Sequence, residues 1–98
     1  MKKFTCPCCG YKTLNERDNW ETCQVCKWMD DEIQSYEPDI GGANKVTLRE
    51  AQKNFKEIGR ADRINYHSKG KPTSKYEKDD NWKPYGEREL SLLNYQRH

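Results

Sequence analysis

Five cysteines within the first 26 residues are the side chains in this sequence best suited to chemistry. Cys6 and Cys9 form one C-x2-C pair, Cys23 and Cys26 form a second, and thirteen residues separate the two pairs. Two sulfurs on one tight turn can reach the same tetrahedral ion, and a second turn completes its shell at about 2.3 Å per bond. The spacing therefore predicts one structural Zn²⁺ held by these four thiolates.

Cys8 is the surplus thiol in this scheme. It lies between two ligands in the turn "CPCCG", so we expect its side chain to point away from the metal. Using Cys8 in place of Cys9 would give a C-x-C pair and strain the shared turn, so Cys9 is the favoured ligand and Cys8 the alternate thiol. Pro7 and Gly10 suit this turn because proline restricts φ and glycine accepts a positive φ.

Other uses of the cysteines fit the sequence less well. A thioredoxin-like thiol pair needs its first cysteine at the N-terminus of a helix, and nothing after "CPCCG" predicts one. Iron is a further alternative to zinc at a four-sulfur site. Four sulfurs close the coordination shell, which favours a structural over a catalytic metal. His67 and His98 show no ligand spacing and are interpreted as surface histidines.

Composition indicates a small protein that needs a stabilising staple. The chain has 98 residues, of which 35% are charged and only 13 are Ile, Leu, Val or Phe. So few aliphatic side chains rarely support a small domain without a disulfide, a metal or a partner. The net charge of +2 neither demands nor excludes a polyanionic partner. With no signal peptide or apolar membrane span in the sequence, we expect a cytoplasmic protein with reduced thiols and no membrane association.

The elements around the cysteines predict a small α+β fold. The stretches "YKTL" and "WETC" are predicted to form two short strands of a β-hairpin, turned by "NERDN", so that two knuckles and the hairpin make a zinc ribbon. A capped helix follows, with Thr47 as N-cap, Glu50 completing a capping box and Gly59 as the stop. Its apolar face is expected to cover the ribbon and pack against Trp20, Val25 and Trp28. The residues of that face are Leu48, Ala51, Phe55 and Ile58.

The linking segment contains two adjacent carboxylates, Asp30 and Asp31, that invite a catalytic interpretation. Neighbours in an extended segment point apart, and no nucleophile or base accompanies the pair. We therefore interpret them as turn-capping or solvated side chains and predict that the protein is not an enzyme. Asn44 in "GGAN" is expected to hydrogen-bond the local backbone.

The C-terminal part of the chain is polar and carries several aromatic residues among lysines. We divide the chain into a zinc ribbon plus helix (residues 1–62) and an extension (residues 63–98) that ends in a short helix with Leu90, Leu92 and Leu93. Aromatic residues among cations can contact a protein or stack on bases, or they can fold back onto the ribbon. The candidate partner-contacting residues are Trp28, Tyr76, Trp82 and Tyr85.

An ordered series of motifs resembles a known family. "CPCCGYKTL", then "ER", then C-x-V-C-x-W-x-D-D, "GGAN" and a helix beginning "TLREAQKNF" resemble the bacterial cysteine-rich CPCC proteins, from about Thr5 to Asp62 and more faintly to Asp80. The resemblance implies a small single-domain protein with a zinc-binding motif and no assigned catalytic activity. This sequence departs from the pattern at Gln24, Met29 and Glu32.

Two functions from different classes fit these features. The favoured hypothesis is a zinc-stapled module that binds a protein, as an inhibitor, an immunity-type protein or an adaptor. The alternative is a nucleic-acid-binding zinc ribbon that acts in transcription or phage takeover, which rests on analogy between folds. Salt dependence would separate them, since lysines that neutralise phosphates lose affinity steeply with salt.

Overall fold

The structure, a computed structural model, describes residues 3–63 and 73–85. Within these residues a two-stranded antiparallel sheet is followed by two helices and a short 3-10 turn. The elements in chain order are β1 (Phe4–Thr5), β2 (Lys12–Leu14), α1 (Glu32–Tyr36), α2 (Leu48–Ile58) and the 3-10 turn Thr73–Lys75. The predicted small α+β class is confirmed at this level.

Two knuckles with the same hydrogen-bond pattern carry the cysteine pairs. In the first knuckle (residues 6–10), the Cys6 carbonyl accepts from the Gly10 N–H at 2.9 Å. In the second knuckle (residues 23–27), the Cys23 carbonyl accepts from the Lys27 N–H at 2.9 Å. The last residue of each turn is left-handed, with φ of 79° at Gly10 and 70° at Lys27. Lys27 therefore takes a conformation that glycine adopts without strain.

The predicted hairpin between "YKTL" and "WETC" is wrong in its pairing. β2 pairs with β1 across the first knuckle, with Phe4 opposite Leu14. The second knuckle is closed separately by an isolated bridge between Thr22 and Met29. Each knuckle is thus closed by its own flanking residues.

The loop between the two knuckles folds on itself instead of turning a hairpin. The Glu21 carboxylate accepts from the backbone N–H groups of Asn15, at 2.8 Å, and Glu16, at 3.2 Å. The Asp30 carboxylate accepts from the Asp18 N–H at 2.8 Å. Carboxylates thus satisfy backbone donors that a hairpin would have paired with another strand.

The predicted helix is present as α2 and begins and ends with the predicted caps. Thr47 Oγ1 accepts from the Glu50 N–H at 3.2 Å, and Gly59 ends the helix with a φ of 74°. Leu48 and Ala51 are buried, and Phe55 packs against the edge of the Tyr11 ring at 6.4 Å between centroids.

Two expected packing partners are not in the core. Trp20 is 65% exposed, and Ile58 is 38% exposed. Trp20 has a φ of 55° in the self-folded loop, which corrects its expected packing against α2. Polar side chains complete the helix face: Gln52 donates to the Pro7 carbonyl at 2.9 Å, and Asn54 donates to the Ala61 carbonyl at 2.9 Å.

Helix α1 was not predicted and lies in the linking segment. Asp31 is its N-cap, because Oδ1 accepts from the N–H groups of Ile33, at 2.9 Å, and Gln34, at 3.3 Å. A signal was present, since Asp31 followed three residues later by Gln34 resembles a capping box. The predicted turn-capping role matches these contacts for Asp31, whereas Asp30 is buried instead of solvated.

Residues 73–85, which we call the strap, pack against the first knuckle. The Lys12 N–H donates to the Glu77 carbonyl at 2.8 Å, and the Asp79 N–H donates to the Gly10 carbonyl at 2.9 Å. Tyr76, Tyr85 and the strap backbone thus extend the small core. The predicted C-terminal helix with its three leucines, and Tyr66, His67 and His98, lie outside the described residues.

The core is built from the cysteines and a few apolar side chains. All five cysteines are buried together with a few apolar residues, which are Leu14, Val25, Trp28, Leu48, Ala51 and Ala61. Such a small apolar core agrees with the expectation that the fold needs further stabilisation from a disulfide, a metal or a partner. Among the described residues no helix is long and apolar enough to cross a membrane.

Candidate metal centre

Four cysteine sulfurs converge between the two knuckles. The Sγ atoms of Cys6, Cys9, Cys23 and Cys26 all lie within 4.8 Å of one another, and all four residues are buried. The Cys6–Cys26 sulfurs are 3.7 Å apart and the Cys9–Cys23 sulfurs 3.8 Å apart. A tetrahedron of sulfurs around zinc, with bonds of about 2.3 Å, has edges of about 3.8 Å. The cluster therefore has dimensions compatible with a structural zinc site.

The cysteines are free thiols, so the cluster is not a pair of disulfides. All five are unpaired, and the sulfur separations exceed the roughly 2.05 Å of a disulfide bond. A tetrahedral all-sulfur donor set suits zinc or iron among biological metals. The four sulfurs can hold one such ion, and they leave no coordination position on it open for a substrate.

Cys23 receives more hydrogen bonds than its partners among the described residues. Thr13 on β2 donates its hydroxyl to Cys23 Sγ at 3.1 Å. The backbone N–H groups of Val25 and Cys26 approach the same sulfur at 3.4 and 3.5 Å. Donors of this kind stabilise a thiolate and orient a metal ligand. Thr13 was not predicted as a site residue, because only the tertiary fold brings β2 close to the second knuckle.

The thiols influence one another's ionisation. Hydrogen bonds from the Cys26, Cys6 and Cys9 thiols lower the pKa of Cys23 well below its usual range. Burial raises the pKa of Cys6 and of Cys26. One thiolate is therefore stabilised by its neighbours, whereas four buried thiolates need a cation to offset their charge. This charge requirement agrees with a metal-binding role.

Cys8 lies outside the group of four converging sulfurs. It is fully buried, and burial is the main cause that raises the pKa of its thiol. A buried thiol with a raised pKa is a poor nucleophile. The structure places Cys8 in the core beside the cluster, where it packs as a small apolar side chain.

A network of polar side chains connects the second knuckle to α1. Asn44 Oδ1 accepts from the Met29 N–H at 2.8 Å, and Asn44 Nδ2 donates to the Met29 carbonyl at 2.8 Å. The buried Gln34 accepts from the Asn44 side chain at 2.9 Å and donates to the Val46 carbonyl at 3.0 Å. Asn44 thus bonds backbone, as expected, and it ties α1 to the residue that closes the second knuckle.

Asp31 holds the glycine loop onto this network. Its Oδ2 accepts from the Ala43 N–H at 3.0 Å. That bond, with those from Gln34 and Ile33, lowers the pKa of Asp31. Asp30 is separate: it is buried and its pKa is raised, mainly because burial disfavours its charge. The two carboxylates bond different backbone segments, so they do not form a carboxylate pair.

Of the four candidate partner-contacting residues, Trp28 is buried, and the three on the strap are partly buried. Trp28 is 0% exposed, so its indole is part of the core and offers no surface to a partner; this corrects its expected role. Trp82 donates Nε1–H to the Pro7 carbonyl at 3.0 Å, and Tyr85 packs against the core. Tyr76 donates its hydroxyl to Gln24 Oε1 at 3.0 Å, which links the strap to the second knuckle.

A small α+β fold closed around a four-cysteine cluster defines the class of this protein. The family model described as "Cysteine-rich CPCC" matches residues 4–77, and the chain belongs to that family. The resemblance to the cysteine-rich CPCC family is thereby confirmed. No curated protein matches the chain.

Proposed function

We propose that this protein is a non-enzymatic binding module in which one zinc ion, held by Cys6, Cys9, Cys23 and Cys26, stabilises a scaffold for contact with another protein. Bound zinc would supply cross-links between the two knuckles. Support for zinc comes from the buried, closed set of four sulfurs and from their spacing. Support for the scaffold role comes from the core, which centres on the same cysteines.

Exposed apolar side chains on and after α1 carry the proposal of protein binding. Ile33 and Tyr36 are each 61% exposed, and Ile40 is 40% exposed. Three large apolar residues within eight positions are unusual in a chain with so few aliphatic residues. Trp28 is buried, and the strap aromatics are partly buried in contacts within the fold, so these α1 residues are the better candidates for a partner surface.

The nucleic-acid alternative has one specific observation in its favour. A cleft of about 630 Å³ beside β1 is lined by four cations, Lys3, Lys12, Arg17 and Lys75. Three of these have partners within the fold. Lys3 donates to Asn15 Oδ1, Lys12 pairs with Glu77, and Arg17 lies 5.2 Å from the centre of the Phe4 ring. The cleft is therefore less available to phosphates than its composition suggests.

Affinity capture with the zinc-loaded chain tests the proposed function. Lysate from cells that make the protein is split, and half is treated with nuclease before capture. Protein binding predicts one enriched protein that survives nuclease and approaches equal amounts with the bait. Capture that disappears with nuclease, or that falls steeply between low and moderate salt, would support the nucleic-acid alternative instead.

A further inference from the structure

Trp20 is an exposed aromatic residue held in a strained backbone conformation. Its φ is 55°, and 65% of its surface is accessible. A bulky residue rarely adopts positive φ, and this conformation costs roughly 1–2 kcal/mol. Among the described residues, the side chain gains little burial that would offset this cost. Strain of this kind concentrates at functional sites, and tryptophan is enriched among residues that dominate protein interfaces.

The backbone places Trp20 at the beginning of α1. Its N–H donates to the Asp30 carbonyl at 3.2 Å, and the Asp30 N–H donates to the Glu21 carbonyl at 2.9 Å. Asp30 directly precedes Asp31, the N-cap of α1. The backbone of Trp20 therefore lies beside the start of α1. We give the name α1 surface to Trp20 together with the exposed apolar residues on and after α1. It comprises Trp20, Ile33, Tyr36 and Ile40.

The charged residues of the segment that carries most of the α1 surface are all acidic. Residues 28–44 contain five carboxylates and no lysine, arginine or histidine. Glu32 and Glu37, at the two ends of α1, are both exposed. Arg49 lies outside this segment and pairs with one of its carboxylates, Asp39, with 2.7 Å between Nε and Oδ1. Arg17 and Lys83 line the cleft beside Tyr36 together with Asp18 and Asp30, so the cations there are balanced.

The α1 surface is also held in place from within. Gln34, between the exposed Ile33 and Tyr36, is fully buried and bonds to Ile40, Asn44 and Val46. A surface whose supporting side chains are already ordered loses less entropy on binding than a flexible one. Its shape and charge are therefore suited to a preformed contact.

We infer that the α1 surface binds a basic, apolar protein segment, in which apolar side chains cover Ile33 and Tyr36 while lysines or arginines meet Glu32 and Glu37. This inference rests on the proposed function and names the partner's chemistry. Exposed apolar residues supply the area to be desolvated. The surrounding carboxylates select a cationic partner and repel acidic ones.

Capture with matched variants of the full zinc-loaded chain tests the inference. One bait carries Ile33→Ala with Tyr36→Ala, and another carries Glu32→Lys with Glu37→Lys. The control baits are Ile58→Ala, which trims an exposed apolar residue on α2, and Asp80→Lys, which reverses an exposed charge in the strap. Melting temperature and zinc content are measured for every bait, so that loss of folding is recognised.

The expected result is a loss of capture of about tenfold or more for both α1 baits and a change of less than about twofold for both controls. A photo-crosslinking phenylalanine analogue in place of Tyr36 should attach to a segment of the captured protein that is rich in lysine or arginine.

Three outcomes would overturn the inference. If all baits capture the same protein equally, the α1 surface is not its binding site, although the proposed protein binding still holds. The inference of a basic partner would be wrong if position 36 crosslinked to an acidic segment. It would also be wrong if position 36 crosslinked to residues 86–98 of the same chain or to a second copy of the chain. Failure of the unmodified chain to capture any protein after nuclease treatment would overturn the proposed function as well.

Discussion

Replacing Gly10 with alanine should detach the strap from the first knuckle. A methyl group at this position would overlap the Trp82 ring, whereas the same methyl at Gly59 would meet no atom of the described residues within 4 Å. Both glycines have similar left-handed φ values, 79° and 74°. Gly59→Ala therefore reproduces the backbone strain without the steric conflict, and the difference between the two variants isolates the strap contact.

The contacts around Trp82 set the expected size of that difference. Its Nε1–H bond to Pro7 contributes about 1 kcal/mol to the free energy of unfolding. The Lys78 ammonium lies 4.4 Å from the centre of the Trp82 ring, a cation–π contact of roughly 0.5–1 kcal/mol at a partly exposed site. With some lost apolar burial, Gly10→Ala should cost about 2 kcal/mol more than Gly59→Ala, or about 10 °C in melting temperature.

Thermal unfolding followed by circular dichroism, at one fixed concentration of free zinc, measures both variants under the same metal linkage. The pair is then repeated in a Trp82→Ala background, where the two alanine substitutions should cost the same within about 0.5 kcal/mol. Equal costs in the wild-type background, or an excess that persists without Trp82, would refute the placement of the strap over Gly10.

Further predictions concern the second knuckle, the glycine loop and the metal. Lys27→Gly should raise the free energy of unfolding by up to about 1 kcal/mol, because it relieves a left-handed φ at a non-glycine residue; a lower melting temperature would contradict this. Gly42→Ala should lower stability by about 1–3 kcal/mol, because its methyl would lie 2.7 Å from Asp31 Oδ2. Gly41→Ala should be neutral, because its methyl would meet no atom of the described residues within 4 Å. Equal melting temperatures for the two variants would count against the packing of the glycine loop on Asp31. Asp31→Asn should cost roughly 1 kcal/mol, since the amide cannot replace both accepting oxygens. Hydrogen bonds lower the folded pKa of Asp31, so its contribution is complete above its unfolded pKa of about 3.9 and is lost only as pH falls through the folded value. The difference in stability from wild type should therefore stay constant between pH 8 and pH 5. A difference that grows as pH falls from 8 to 5 would show that the folded pKa is raised instead. Removing the metal with a chelator should abolish the cooperative unfolding transition, and an unchanged circular dichroism spectrum would show that the core does not need it.

Short-range patterns in the sequence predicted the cysteine cluster and α2. Ligand spacing within a turn is a local property, so Cys6 with Cys9 and Cys23 with Cys26 can be paired without knowledge of the fold. The caps of α2 are likewise local, and Thr47 and Gly59 occupy the expected positions.

Features that depend on distant contacts were missed or predicted wrongly. The "NERDN" loop was assigned to a hairpin because nothing local shows that Glu21 and Asp30 would bond its amides. Gly10 was recognised as a turn residue, but its close approach to Trp82 joins positions 72 residues apart. The aromatic residues of the strap looked like a partner surface because the sequence does not reveal which apolar side chains the small core recruits.

Native mass spectrometry of the purified chain, compared with its Cys8→Ser and Cys9→Ser variants, tests whether Cys6, Cys9, Cys23 and Cys26 hold one zinc ion. The four-cysteine account predicts one zinc ion per chain in the wild type and in Cys8→Ser, because Cys8 lies outside the converging sulfurs. Cys9→Ser should lose the ion together with the cooperative unfolding transition. A metal-free wild type, a different metal, or zinc retained by Cys9→Ser and lost by Cys8→Ser would contradict the account.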